Sequence, residues 1–216
     1  MSEHTIATLC QRSRDISLEK GWLNPDGTDP RPFHTVIALF HSELSEAFED
    51  IRNNYAMRDV FYEVVESGVN GSKILSASAL EARKADGRPI HSAKPCGIPS
   101  ELADFVIRVC QYYGSASLGK KLEEVMGEIS QAKLGTYPAA DPELLITELH
   151  DLVSKAWSFS KGETSRISGV TIDYLATALL SLFDFCKKKD INLWAAIEEK
   201  EAYNRTRSHK HGGKKV

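Results

Sequence analysis

The sequence predicts an all-α protein, a bundle of helices, and three observations support this. Six segments place apolar residues at three- and four-residue intervals, whereas the alternating pattern typical of strands is scarce. Proline and glycine separate these segments in "NPDGTDPRP" (24–32), "CGIP" (96–99) and "GTYPAADP" (135–142). A hydrophobic content of 42% in 216 residues is sufficient for a packed core. The predicted helices are 33–54, 100–114, 117–133, 142–160, 170–188 and 191–207.

The segment 67–99 lacks this helical spacing. It is long, polar and contains glycine, and one short helix is predicted near 77–85. Long connections without secondary structure are uncommon in compact domains and often have a function. We therefore expect 67–99 to be a mobile excursion from the bundle.

The helix predicted at 33–54 carries acids at the border of its apolar face. On a helical wheel Glu43 lies at the edge of the apolar arc, Asp50 falls beside it, and Glu46 is slightly further round. Acids on a solvated face are common, so these residues alone are weak evidence for a site.

The helix predicted at 100–114 is apolar almost all round. Glu101, Asp104, Arg108 and Gln111 are the exceptions, and they share one stripe. A helix of this kind is normally central in its bundle. The stripe is therefore either a narrow window to solvent or the wall of a polar cleft.

Four carboxylates converge if these two helices pack side by side, namely those of Glu43, Glu46, Glu101 and Asp104. Like charges ~5 Å apart repel by roughly 3 kcal/mol at an effective dielectric near 20, so a cation is needed among them. Oxygen ligands favour Mg²⁺, with Mn²⁺ as a further possibility. A ferritin-like di-iron site is less favoured, because it requires Glu-x-x-His motifs that these two helices lack.

The last predicted helix carries polar and cationic residues on one side. Lys200, Asn204 and Arg207 follow one another at four and three residues, near the negative end of the helix dipole. Beyond them "SHKHGGKKV" forms a basic strip whose glycines allow close backbone approach, which suits a polyphosphate. The alternatives are ordinary dipole compensation for the helix residues, and a frayed end or a weak nucleic-acid contact for the strip.

The two halves of the chain show a weak internal repeat. "ELSE" (43–46) corresponds to "ELHD" (148–151), "ELAD" (101–104) to "YLAT" (174–177), and "LEEVMGEI" (122–129) to "IEEKEAYN" (197–204). This predicts two units, 1–134 and 135–216, that pack as one compact body. Because the acids lie in the first unit and the cations in the second, we expect one composite site per chain.

The motifs ExxE at 43–46, "GIPSELADFVIR" with ExxD at 101–104, and "KEAYNRTRSHKHGGK" resemble those of the MazG-like, all-α nucleoside triphosphate pyrophosphatase superfamily. This superfamily includes the dimeric dUTPases and the phosphoribosyl-ATP pyrophosphatases. The likeness covers roughly 20–55, 93–114 and 191–215, and the last motif is its most specific part. The chain differs from the family in the longer stretch between its acid pairs and in the degenerate copy at about 135–190. The internal repeat offers an explanation, namely that the chain is a fused pseudo-dimer.

The resemblance implies hydrolysis of a nucleoside triphosphate to the monophosphate and pyrophosphate by a Mg²⁺-holding helical bundle. The four acids would be metal ligands, Lys200 and Asn204 would contact phosphate or sugar, and Arg207 and Lys214 would be further phosphate contacts. Family members often dimerise, so we expect a homodimer or a higher homo-oligomer.

A mechanism can be outlined for these residues. Metal-bound triphosphate would be attacked by water at the α-phosphorus, with Glu46 as the base and Lys200 stabilising the leaving group. Trp22, Asn24 and Phe33 are candidates to contact the base. The alternative is a non-catalytic helical module that binds a nucleotide or a protein, and a nucleic-acid binder ranks well behind it.

The composition limits which partners the protein is expected to bind and which cellular compartment it is expected to occupy. A formal charge of −3 and a pI near 6.2 provide no broad basic field for nucleic acid or membrane. Four scattered cysteines without a CxxC pair fit reduced thiols, and "MSEHTIATLC" does not have the pattern of a signal peptide. The apolar stretch "LATALLSLFDFC" is too short to span a bilayer and contains Asp184. We expect a cytoplasmic protein.

Overall fold

The computed structural model describes residues 4–68, 70–132, 141–160 and 169–210. Over these residues the chain forms eight helices and one small antiparallel sheet. The helices are α1 (Ile6–Glu19), α2 (Phe33–Arg52), α3 (Ala77–Ala85), α4 (Ile98–Ser115), α5 (Gly119–Ala132), α6 (Pro142–Ser160), α7 (Gly169–Lys188) and α8 (Leu193–Thr206). The strands are β1 (Phe61–Glu66), β2 (Lys73–Ser76) and β3 (Ile90–Cys96).

The predicted helical class is broadly confirmed. All six long predicted helices and the short helix at 77–85 are present, each ending within two residues of its predicted bound. Helix α1 was not predicted. Its buried face contains Ser13 and Ser17 as well as Ile6, Leu9, Cys10 and Ile16, so it does not show a continuous apolar stripe in the sequence.

The sheet was not predicted either. Its order is β2-β1-β3, and Phe61 pairs with Ser76 on one side and with Cys96 on the other. The described part of the 67–99 excursion therefore contains two strands and one helix. Strand β3 ends directly before Gly97, the residue that caps α4 with a φ of 103°. The sheet consequently brings Lys94, near the end of β3, to the first turn of α4.

Helix α4 is the centre of the molecule. Fifteen of its 18 residues are buried, and it packs against α1, α2 and α8. The approach of α1 is close because of Gly114, where a Cβ atom would lie 2.2 Å from the backbone oxygen of Cys10. Three different segments of the chain thus meet along one helix.

The α6–α7 pair completes the bundle. Helix α6 packs against α2, α7 packs against α5, and one hydrophobic cluster includes residues of both pairs. Helix α7 has the length and apolar composition of a membrane span, but 56% of the relevant window is buried inside the molecule, as also happens in core helices.

The internal repeat and the division at 134/135 stay predictions. The α2–α4 and α6–α7 pairs are both in contact, which a repeat requires. Such pairing is also the ordinary arrangement of neighbouring helices in a bundle. The predicted linker at 135–142 lies mostly outside the described residues.

Candidate metal and phosphate site

Helices α2 and α4 bring three of the four predicted acids together. Glu43, Glu101 and Asp104 each offer a carboxylate oxygen, and these atoms all lie within 4.8 Å of one another. Glu43 and Glu101 are buried, and Asp104 is partly buried. We call these three residues the acid cluster. Its position follows from the two packed helices, because Glu43 lies at the edge of the apolar face of α2 and the acids of α4 face it.

Arg108 compensates the first of these acids. Its Nε donates to Glu43 Oε1 at 2.9 Å. Burial raises the pKa of Glu43, and the neighbouring guanidinium opposes that effect. The sequence places Arg108 in the polar stripe of α4 but predicts no role for it. Its spacing of one helical turn from Asp104 was the signal that could have linked it to the acids.

Lys200 compensates the other two acids. Its Nζ donates to Asp104 Oδ2 at 2.7 Å and lies 3.5 Å from Glu101 Oε1. The residue is 1% exposed. Burial alone acts to lower the pKa of Lys200, but the two carboxylates outweigh it and raise that pKa. The predicted phosphate-binding lysine therefore lies inside the acid cluster in this structure, not at a pocket surface.

Glu101 retains unused binding capacity. Its Oε2 atom is buried and has no hydrogen-bond partner among the described residues. Burial raises the pKa of Glu101 to about 7, against the opposing effect of Lys200. An unpaired, buried carboxylate oxygen beside two further carboxylates fits a hard divalent cation, which prefers oxygen ligands. The donor set is thus compatible with Mg²⁺ or Mn²⁺.

Glu46 is not one of the three acids of the acid cluster, although its charge adds to the burial that raises the pKa of Glu43 and of Glu101. It is exposed and lines an open pocket of about 420 Å³ together with Asp50, Lys94 and Glu101. We call this the open pocket. Burial raises the pKa of Asp50. Asp50 was noted in the sequence without a role, and Lys94 was missed because nothing in its local pattern marked it; only the sheet brings it here.

A second pocket borders Asp104. It is narrow, about 60 Å³, and its lining includes Trp22, Asn204 and Arg207 along with Asp104 and Arg108. We call it the narrow pocket. The guanidinium of Arg207 lies 5.6 Å from the centre of the Tyr203 ring. Three predicted substrate-binding residues thus share one pocket that borders the acid cluster.

The remaining predicted residues lie elsewhere. Asn24 bonds within its own loop, its Nδ2 donating to Thr28 Oγ1 at 3.0 Å, and it does not line the narrow pocket. Phe33 is buried in the core, and the centre of its ring lies 5.1 Å from the centre of the Tyr112 ring. Lys214 lies outside the described residues.

Helix α8 and its extension connect to the edge of the narrow pocket. The backbone N–H of Lys210 donates to the backbone oxygen of Lys20 at 2.9 Å, and Lys20 is one of the residues lining that pocket. The start of the basic strip therefore contacts a residue that lines the narrow pocket.

Comparisons with protein-family models, with curated proteins and with solved structures find no match for this chain. The geometry and chemistry of the site are therefore the basis for proposing a function.

Proposed function

We propose that the protein is a Mg²⁺- or Mn²⁺-dependent nucleoside triphosphate pyrophosphohydrolase, which converts a nucleoside triphosphate to the monophosphate and pyrophosphate. The observation that carries the proposal is the acid cluster, three carboxylates within 4.8 Å, together with the buried, unpaired Oε2 of Glu101. A Mg²⁺ ion held by protein carboxylates is commonly also bound by the phosphate groups of a substrate.

The carboxylates of Glu43, Glu101 and Asp104 would hold the ion. When bound, a divalent ion supplies neutralisation of phosphate charge and a more acidic water. Arg108 restricts the orientation of Glu43, since its Nε donates to the carboxylate of that residue. Such fixed placement reduces the reorganisation needed during reaction.

Glu46 is the proposed base. It is exposed at the border of the open pocket and is not committed to the acid cluster, so it can accept a proton from the attacking water. The water oxygen forms a bond to the α-phosphorus, and the bond from that phosphorus to the bridging oxygen of pyrophosphate breaks. Lys94, which lines the same pocket, would stabilise the negative charge of the departing pyrophosphate.

A panel of ribo- and deoxyribonucleoside triphosphates, assayed for pyrophosphate release with Mg²⁺ and with Mn²⁺, tests the proposal. Glu101→Gln should reduce turnover at least 100-fold, because an amide is a poor ligand for a hard ion. Glu124→Gln is the matched control, since Glu124 is exposed on α5 and pairs only with Lys121 among the described residues.

Two outcomes would contradict the proposal. Full activity in a folded Glu101→Gln variant would show that the acid cluster takes no part in the reaction. If the protein binds a nucleotide but hydrolyses none of the panel, the result would instead favour the alternative, a non-catalytic nucleotide-binding module.

A further inference from the structure

We propose that His41 and His150 form a binding site for a divalent transition-metal ion of the Zn²⁺ or Cu²⁺ type, separate from the acid cluster. The two residues lie on different helices, α2 and α6, and their Nδ1 atoms are 2.7 Å apart. We call these two residues the histidine pair. The inference does not depend on the proposed hydrolase activity.

The histidine pair presents nitrogen atoms to a shared space. The ring centres are 5.0 Å apart, and the ring planes are within 8° of parallel. Since the two Nδ1 atoms are much closer together than the ring centres, they are the parts of the rings that face each other. Imidazole nitrogen is a ligand that Zn²⁺, Cu²⁺ and Ni²⁺ favour, whereas Mg²⁺ prefers oxygen. The histidine pair and the acid cluster should therefore select different ions.

The separation of the two nitrogens is close to what a single ion requires. Metal–nitrogen bonds of ~2.0–2.1 Å place two ligand atoms roughly 2.9 Å apart at a right angle and roughly 3.4 Å apart at a tetrahedral angle. The observed 2.7 Å must therefore widen by less than about 1 Å in either case. Rotation of the rings about their side-chain bonds provides this widening and turns both lone pairs toward one ion.

A metal ion would replace the hydrogen that the histidine pair shares. At 2.7 Å one Nδ1 donates to the other, so one ring carries its hydrogen on Nδ1 and the other ring carries it on Nε2. When the ion binds, the first ring loses its hydrogen from Nδ1 to water and takes one up at Nε2. Both Nδ1 lone pairs are then available, and both rings stay neutral. Among the described residues neither Nε2 atom is buried without a partner, so water can accept a hydrogen bond from it.

The surroundings of the histidine pair admit an ion. Both residues are half-buried, so water can reach the site. The positions three and four residues away on either helix carry no charged side chain, so an ion meets no positive charge there. These positions are Ile37, Ala38, Leu44 and Ser45 on α2, and Ile146, Thr147, Val153 and Ser154 on α6.

Water would complete the coordination of the ion. Over the part of the chain that the structure describes, no third His, Cys, Asp or Glu ligand atom groups with the histidine pair. Zinc sites with open positions bind water in the same way. Because the ion would join α2 to α6 and would bind only the folded state, it should also stabilise the protein against unfolding.

Calorimetric titration of the full chain with Zn²⁺ near pH 7.5 tests the site. We expect His150→Gln to weaken one Zn²⁺ site at least about tenfold, because an amide is a poor ligand for this ion. The exposed His91→Gln is the matched control and should bind Zn²⁺ like the wild type. Glu101→Gln should also keep this site, since it alters only the acid cluster.

Thermal denaturation supplies a second readout. At a Zn²⁺ concentration roughly 100 times the Kd, Tm of the wild type should rise by about 5 °C or more. His150→Gln should lack this increase. A direct hydrogen bond between the rings would stabilise the metal-free protein only, so it does not explain an increase that depends on Zn²⁺.

NMR of the histidine ring nitrogens tests the wild type directly, so it does not depend on whether His150→Gln folds. Without metal, one ring of the histidine pair should carry its hydrogen on Nδ1. With saturating Zn²⁺, the Nδ1 signals of His41 and His150 should both shift, and both rings should carry their hydrogen on Nε2.

Three results would overturn the assignment. The first is an unchanged Zn²⁺ affinity and Tm increase in folded His150→Gln. The second is loss of the same Zn²⁺ site in Glu101→Gln, which would assign the ion to the acid cluster instead. The third is a pair of ring signals that saturating Zn²⁺ leaves unchanged in the wild type.

Discussion

Lys200 places its ammonium nitrogen 2.7 Å from Asp104 Oδ2 and 3.5 Å from Glu101 Oε1, in a position that is 1% exposed. The acid cluster therefore contains its own cation. A divalent ion that enters must share these carboxylates with Lys200 or displace it, so the metal and the lysine are expected to compete.

Lys200→Met should destabilise the metal-free protein by about 3–5 kcal/mol, because removing one partner of a buried ion pair leaves uncompensated charge. Added Mn²⁺ should then raise Tm more in this variant than in the wild type. Thermal denaturation with and without Mn²⁺ measures both effects. The exposed Lys120→Met is the control, and equal Tm increases in all three proteins would refute competition.

Metal affinity should increase with pH around neutrality. The pKa of Glu101 is about 7 because of burial, and a metal binds the ionised carboxylate. The Kd for Mn²⁺, measured by calorimetry, should be roughly tenfold weaker near pH 6 than near pH 8. The stability of the metal-free protein should change in the opposite direction. Between about pH 4.5 and pH 7 Glu101 keeps its proton in the folded state but loses it in the unfolded state, so the free energy of unfolding falls as pH rises through that window. A flat affinity profile would contradict the role of Glu101.

A pair of histidines should make stability sensitive to acid. His41 Nδ1 and His150 Nδ1 are 2.7 Å apart across the α2–α6 contact, so one ring donates and the other accepts. Burial lowers the pKa of both, and His41 lowers that of His150 further. The folded state therefore resists protonation, and stability present above about pH 6.5 should decrease as pH falls below it.

His150→Gln, which retains a hydrogen-bonding group but cannot be protonated, should reduce this acid-dependent loss. Urea denaturation near pH 7.5 and near pH 5.5 measures the difference. The exposed His91→Gln should behave like the wild type. Identical pH dependence in His150→Gln and the wild type would exclude the pair as the cause.

Gly114→Ala should destabilise the protein by about 1–3 kcal/mol, the usual effect of overpacking. The new Cβ would lie 2.2 Å from the backbone oxygen of Cys10, so α1 would have to move. Gly127→Ala is the matched control, because a Cβ there meets nothing within 4 Å and should stabilise α5 by up to about 1 kcal/mol. Urea denaturation separates the two, and similar effects at both positions would contradict the close α1–α4 approach.

The sequence was sufficient to predict seven of the eight described helices, all except α1, and much of the acid cluster. Helical spacing is local, so the positions of Glu43 and of the α4 stripe could be inferred without coordinates. The sequence predicted that these acids converge only if α2 and α4 pack side by side. The insertion of Lys200 between Glu101 and Asp104 joins residues 99 and 96 positions apart, a pairing that no local pattern encodes.

Other features escaped prediction for physical reasons. Strand β1 is short and mostly half-buried, and β2 is shorter and mostly exposed, so neither strand shows a clear alternation of buried and exposed residues. Ser13 occupies the buried face of α1, where a polar residue conceals the helical stripe. Glu46 shares the motif of Glu43, but the rotation of α2 turns it toward solvent, which spacing alone could not establish.

The order of these residues along the chain has a consequence for biosynthesis. Both acids of α4 leave the ribosome well before Lys200 does, so a nascent chain displays them without their natural counter-charge. The centre of the bundle can close around those acids only after translation has reached α8, unless a metal ion from the cell substitutes for the lysine in the meantime.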